Sequence, residues 1–437
     1  MADRVAVAVR TGAPPLLLAT TLVLTALNLR AAVTSVGAVL RDVQADLAMS
    51  DAVAGLLTTL PVLSFGIVGL SAAWVSRRVG TEPALATALV AIVVGLAVRA
   101  AAPSVGWLLA TTLLAVVGIA VANVLVPVAV KRWFPGSVGA ATGWYSLAIT
   151  AGTAVPAAVT VPIAELAGTW RIGLAVWAVP ALAALVPWLL LARVRRRGDP
   201  GPRWQETISA ELWLADDLDG ARPMTQTLGL TDPRLRPDGP ELRTVTPAAV
   251  RRRGQAWALA VFFGLQSLEA YAAMGWLPAI LQDAGVSPAR AGLLLGVTMA
   301  ISAPISLLLP VVAVRSPDQR PWVYALVGAS AVAWTGLILA PGAAALLWSV
   351  VLGVGLGAFP LALVLLGLRA STPSGTAALS SLAQGVGYLI AAAGPVAVGA
   401  LHGRSGSWTM PLSVLLLLLV PKLLAGRRAA APGHVDG

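Results

Sequence analysis

Twelve stretches of this chain are each long and apolar enough to cross a lipid bilayer, and no other feature constrains its fold as tightly. A spanning helix needs about 20 mostly apolar residues. The candidates run over 14–38, 51–75, 82–101, 105–130, 138–163, 169–192, 256–281, 289–314, 321–340, 342–368, 374–401 and 408–425. Only Pro341-Gly342 separates the ninth from the tenth. The whole chain is 58% hydrophobic and 11% charged, with a mean hydropathy of +0.84. Soluble domains carry roughly 25% charged residues. A surface this apolar cannot face water, so hydrocarbon must be the solvent and helices the spanning element. The expected fold is all-α and polytopic, with twelve transmembrane helices in two six-helix halves.

Charge sets the expected orientation. With the N-terminus in the cytoplasm, 24 Lys and Arg fall inside and five outside, the thirtieth being Arg30 within the first span. Without the central stretch the ratio is 12 to 5, the sense of the positive-inside rule. Both termini are therefore expected in the cytoplasm, and the membrane is a bacterial inner membrane. The net charge of +11 follows the span ends, which argues for lipid and against nucleic acid. The first apolar stretch exceeds a signal-peptide core, and eleven more follow it.

Residues 193–254 differ from the rest. They hold twelve arginines, nine acids and many prolines. This composition reads as a largely disordered cytoplasmic linker between an N-terminal half (1–192) and a C-terminal half (255–437) with a short tail. WQETISAELWLADDLD within it has the pattern of one short amphipathic helix, weighed against a solvated loop.

A weak internal repeat relates the halves. SDAVAGLL (50–57) matches SPARAGLL (287–294) at an offset of 237. Leu40-Arg41-Asp42 matches Leu281-Gln282-Asp283 at an offset of 241. The second offset pairs Asn28 with Glu269 and Arg30 with Tyr271. Parallel repeats of this kind place a solute site near the midplane between the halves.

Arg30 and Glu269 are the ionisable groups expected deep inside spans. Such groups are costly in hydrocarbon and face a cavity or a partner. Arg30 suits a bidentate grip on an anionic or polar planar substrate. Glu269 suits a proton carrier, with substrate competing for Arg30. The bland alternative is an Arg30–Glu269 pair that only locks the halves. Asn28 lies two residues from Arg30, and borders the same cavity only if the helix unwinds; packing is its other reading. Gln266 shares a face with Glu269. Tyr271 and Trp276 supply aromatic walls, or for Trp276 an interfacial belt. Gln384 and Tyr388 stand in a glycine-rich eleventh span. Asn123 and Pro127 mark a softened fourth span, for gating or for packing alone.

Absences narrow the chemistry. There is no cysteine, and the two histidines, His402 and His434, lie near or beyond helix ends. No zinc-hydrolase, CxxC or P-loop pattern occurs, so the chain reads as neither an enzyme nor an ATP-driven pump, with no cofactor and no metal.

NLRAAVTSVGAVL (28–40), NVLVPVAVKRWFP (123–135), GLQSLEAYAAMGWLPAIL (264–281) and SLAQGVGYLIAAAGPVAVGALH (381–402) resemble the CynX/NimT family of the major facilitator superfamily, the cyanate and 2-nitroimidazole transporters. The resemblance implies a secondary transporter working by alternating access on small, polar, anionic or nitrogen-rich solutes. It carries Asn28, Arg30, Trp276, Gln384 and Tyr388 as substrate-site residues; the role of Glu269 rests on the physical argument alone. The chain departs from the wider superfamily in GLSAAWVSRRVG (69–80), which keeps Arg77 and Arg78 as gating candidates but lacks the usual aspartate. It also lacks the Gly-Pro-x-x-Gly-Gly pattern of drug/proton antiporters in GTAVPAAVTVP (152–162). The resulting expectation is a monomeric, proton-coupled carrier of a small anion or nitrogen-containing solute. Drug or metabolite efflux is the alternative, and a non-transporting membrane sensor the remote one.

Overall fold

The computed structural model describes residues 14–79, 81–134, 138–197, 250, 252–370, 373–433 and 435. Most of the central stretch, including the amphipathic segment at 204–219, lies outside them.

The described chain forms fifteen helices and no strand. In order these are α1 (Pro15–Ala38), α2 (Leu40–Leu47), α3 (Asp51–Val79), α4 (Thr81–Arg99), α5 (Val105–Trp133), α6 (Val138–Ala167), α7 (Trp170–Ala175), α8 (Ala178–Arg197), α9 (Gly254–Asp283), α10 (Pro288–Arg315), α11 (Arg320–Leu339), α12 (Ala345–Gly355), α13 (Ala358–Leu368), α14 (Pro373–Ser405) and α15 (Thr409–Ala429). Together they make twelve bilayer-length spans in two six-helix halves, because α7 with α8 and α12 with α13 each act as one broken span.

Helix is the only local answer for these sequences, since hydrocarbon offers a backbone no partner but itself. Side-chain caps appear where spans begin after polar turns. Ser104 accepts from the Trp107 amide at the start of α5, and Thr169 from the Arg171 amide at α7. Span ten breaks after Gly355, at the Gly-Leu-Gly of its glycine-rich run. The segment that joins the first two spans is the short helix α2. It buries Leu40 and Val43 and leaves Arg41 and Gln44 for polar contacts.

Helix ends alternate between two faces. The Asp51 face carries α2, the start of α3, and the junctions α9–α10 and α14–α15. The linker face carries Arg197 and Gly254. Exposed Leu16, Leu166 and Leu339 form part of the lipid-facing surface. Span seven is the most enclosed, 83% buried against 22% for span eight, so α9 is the core of its half.

The halves meet along α3–α14, α6–α10 and α1–α9. Glycines permit this approach. A Cβ on Gly55 would lie 2.6 Å from the Pro395 carbonyl oxygen, and one on Gly37 would strike the Met274 carbonyl. Gly55→Val is therefore expected to destabilise the closed Asp51 face by about 1–3 kcal/mol. Membrane insertion should be normal and transport roughly tenfold slower; wild-type rates in liposomes would disprove the contact's role.

Two charge assignments change. Arg99, counted in an outer loop, is fully buried and donates to the Ala32 carbonyl and Ser35 Oγ, each at 3.0 Å. Lys422, counted with the cytoplasmic flank, is 1% exposed within α15. Arg99 is the last residue of α4 and folds back onto α1, whereas α15 continues seven residues past Lys422.

Candidate functional site

Arg30 sits on α1, eight residues from its Asp51-face end, where the helix is regular throughout. Regularity decides which neighbours share its face. Asn28, two residues earlier, lies about 200° around the helix. It points into its own half, donating to the carbonyls of Leu24 (2.7 Å) and Pro180 (3.2 Å), and is fully buried. The expected unwinding does not occur, so Asn28 packs α1 against α8.

Across the interface, Arg30 Nη1 donates to the hydroxyl of Tyr271 on α9. These are the two positions paired by the repeat, 241 residues apart. The guanidinium carbon lies 5.1 Å from the Phe65 ring centroid on α3 and 5.8 Å from that of Tyr271, both within cation–π range. Phe65 and Tyr388 of α14 pack at 5.8 Å, Tyr388 and Phe263 of α9 edge-on at 5.3 Å, and Phe263 and Phe359 of α13 at 5.8 Å. The whole chain has four Tyr and five Phe, and five of these nine form one contiguous aromatic cluster, of which Phe65 and Tyr271 meet the guanidinium directly. Both halves contribute. Neither of two surface cavities, about 330 Å³ at Arg320, Arg427 and Arg428 and about 470 Å³ at Ala19, Phe134 and Trp144, includes Arg30.

Among the described residues Arg30 has no carboxylate partner. Glu269, expected to face it, points the other way. Its Oε2 accepts from Lys422 Nζ at 2.5 Å and its Oε1 from Trp334 Nε1 at 2.8 Å. All three are nearly or fully buried within the C-terminal half. The idea that substrate and Glu269 compete for Arg30 therefore loses its geometry: two helical residues from Tyr271, Glu269 projects about 200° away from it.

The remaining candidates divide. Gln384 lies one turn from Tyr388 on the same face of α14, half-buried, and donates to Ser380 Oγ at 2.7 Å. Gln266 is buried, donates to Ser267 Oγ at 2.7 Å, and leaves its Oε1 without a partner. Trp276 is neither cavity wall nor interfacial belt. It is 1% exposed and donates to the Pro395 carbonyl at 2.9 Å, joining α9 to α14. Asn123 donates to the Ile119 carbonyl of its own helix at 3.0 Å. The side chains of Arg77, Arg78 and Pro127 lie outside the described residues. Phe65, Phe263 and Phe359 were missed by sequence reasoning, and the rarity of Phe in an Ala/Leu/Val chain was the signal that could have found them.

Four polar contacts join the halves among the described residues: Arg30–Tyr271, Arg41–Asp283, Thr59–Ala392 and Asp51–His402. By helix rise, Arg30 and Thr59 lie about 12 Å from the Asp51 face; the other two lie on it. The halves are thus latched from mid-depth to that face.

A twelve-span molecule with a cationic, aromatic-walled site where two six-helix halves meet is built as a solute transporter. It belongs to the Major Facilitator Superfamily, whose model matches residues 18–395. The chain is 32% identical to the uncharacterized transporter YycB of Bacillus subtilis (strain 168), over 96% of this chain and 94% of that protein. It is 35% identical to the 2-nitroimidazole transporter of Escherichia coli (strain K12), over 92% and 93%. With the cyanate transport protein CynX of the same organism it shares 31% over 94% and 96%. Among solved structures, a bacterial homologue of the human lysosomal transporter Spinster superposes with a TM-score of 0.70 over 98% of this chain and 97% of that one, at 16% identity. The chain is a multi-pass membrane transporter and not an enzyme, and the resemblance drawn from its motifs holds along nearly its full length.

Proposed function

We propose that this protein is a secondary transporter of a small planar solute, either an anion such as cyanate or a nitro-substituted heterocycle, held by Arg30. The observation that carries the reading is a guanidinium between the two halves with aromatic faces around it and no carboxylate against it. An uncompensated cation at this depth is costly. A planar anion offsets that cost through a bidentate, charge-assisted pair, and its faces stack on Phe65, Tyr271 or Tyr388. Relatives that carry 2-nitroimidazole and cyanate support the same solute class.

Substrate entry breaks the Arg30–Tyr271 bond, which spans the halves, so binding and the inter-half contact are alternatives. That exchange lets substrate shift the population between states. In this reading the linker face is cytoplasmic, both termini are inside a bacterial inner membrane, and the monomer is the working unit. Coupling is to protons. Glu269 is a carrier only if Lys422 releases it during the cycle; otherwise it is a structural partner of Lys422.

A thermal-shift screen of small anions and nitroheterocycles tests the substrate class. A ligand at about 100 times its Kd stabilises the native state by about 2.7 kcal/mol. At least one planar anion or nitroheterocycle should raise Tm in wild-type protein and leave Arg30→Gln unchanged. Equal shifts in both proteins would remove Arg30 from the site.

A further inference from the structure

The Asp51 face holds a titratable cluster that substrate binding at Arg30 does not use. His402, near the end of α14, sits between two carboxylates. Its Nδ1 is 2.9 Å from Asp51 Oδ2 on α3, a contact between the halves. Its Nε2 is 3.9 Å from Asp283 Oδ2 at the end of α9, too far for a hydrogen bond. The Trp408 ring stacks on the imidazole with centroids 3.9 Å apart and planes 22° apart. The His402 side chain is 13% exposed and that of Asp51 21%, so the pair is partly shielded yet within reach of water.

The other groups facing the imidazole fix its surroundings. From the N-terminal half, Gln44 Nε2 donates to Asp51 Oδ1 at 2.7 Å, and Arg41 pairs with Asp283. From the C-terminal half, Trp408 Nε1 donates to Asp283 Oδ2 at 2.7 Å. On its own helix Arg404 is exposed, two residues on. Asp46, also on α2, is taken by Arg171 at 2.8 Å. Between the halves, the described residues of this face are thus held by one permanent ion pair, Arg41–Asp283, and one that carries full charge only when His402 is protonated.

A neutral imidazole donates from one nitrogen; an imidazolium donates from both. With a carboxylate on each side, protonation converts the Asp51 contact into a hydrogen-bonded ion pair and adds a second donor toward Asp283. The bond to Asp51 exists only while α3 and α14 are together. We propose that His402 is a proton-operated latch: a proton bound between Asp51 and Asp283 holds this face closed, and its loss releases the face for opening. Proton uptake and closure reinforce each other by linkage. The latch rests on alternating access, and neither on the identity of the solute nor on which face is outside.

The native chain has no cysteine, so two introduced cysteines take spin labels cleanly. Gly106 and Ala343 are exposed, on opposite halves, at this face. Electron–electron distances between Gly106→Cys and Ala343→Cys in nanodiscs would be compared at about pH 8 and about pH 5.5, bracketing the ordinary imidazole range. The ratio of short to long distances should rise at least about threefold on acidification, and tenfold for each unit by which proton affinity differs between states. His402→Gln, which keeps a hydrogen bond to Asp51, should flatten the response, and so should Asp51→Asn. An unchanged pH response in folded His402→Gln protein overturns the latch, as does a pH-independent wild type. Should His402→Gln fail to fold, ¹⁵N imidazole spectra of His434→Ala decide, because His402 is then the one histidine left. A ring that titrates in step with the distance change supports the latch, and a ring that stays in one state across this range rejects it.

Discussion

Arg30→Ala should lower substrate uptake into proteoliposomes by at least about 30-fold. The substitution removes a charge-assisted contact worth roughly 1.5–3 kcal/mol and the cation–π contacts of about 0.5–2 kcal/mol that orient it. Each 1.4 kcal/mol is a factor of ten in affinity. Folding should survive, because the change deletes a partly buried cation with no carboxylate partner among the described residues, rather than one member of an ion pair. Arg30→Lys separates charge from shape. Lysine keeps the charge but lacks the planar fork, so uptake should be intermediate, about tenfold below wild type. Tyr271→Phe breaks the bond between the halves and leaves the cation in place; it should tighten binding while slowing turnover. Uptake at wild-type rates by Arg30→Ala would remove the anion grip altogether.

Glu269→Gln and Lys422→Met should each destabilise the protein by about 3–5 kcal/mol, the cost of stranding one charge of a buried pair. Unfolding midpoints in detergent would register the loss. The double variant Glu269→Gln, Lys422→Met should recover most of it, since no lone charge remains and the Gln amide oxygen can still accept from Trp334. Transport then separates the two roles of Glu269. A double variant that is stable and still driven by a pH gradient makes the pair structural. One that is stable and exchanges substrate but has lost pH-driven accumulation makes Glu269 the proton carrier.

The architecture was legible because hydrocarbon leaves a chain few choices. Span length and an apolar surface on every side dictate a bundle, and the twelve spans follow from hydropathy alone. The repeat gave more than similarity: an offset of 241 paired Arg30 with Tyr271, and these two side chains touch. What the pattern could not give was rotation. Asn28 and Arg30, or Glu269 and Tyr271, are two residues apart, and a regular helix turns them to nearly opposite sides. Reading them as one face required an unwinding that the helices do not have. Lys422 was hidden for another reason. A lysine seven residues from the end of α15 looks like a cytoplasmic anchor, and only packing reveals that Glu269 holds it. The aromatic cluster was hidden because a Phe in a membrane span looks like any other apolar residue until its ring is seen packed with others beside a cation.

The Asp51 face gives a similar lesson. His402 drew no functional reading because it lies near a helix end. Tertiary structure brings that end against Asp51 and Asp283, residues 351 and 119 positions away in sequence. Arg41 and Asp283, by contrast, come from the repeat-related segments after spans one and seven, where the alignment first suggested that the halves correspond.

Calorimetric binding to purified protein tests the central claim most directly, using pairs of planar ligands that differ only in an anionic or nitro group. The charged or nitro-bearing member should bind at least about tenfold more tightly to wild-type protein, the scale of one charge-assisted hydrogen bond. Arg30→Gln should bind the two members equally. Equal affinities in the wild type, or a preference that persists in Arg30→Gln, would contradict a site built around this arginine.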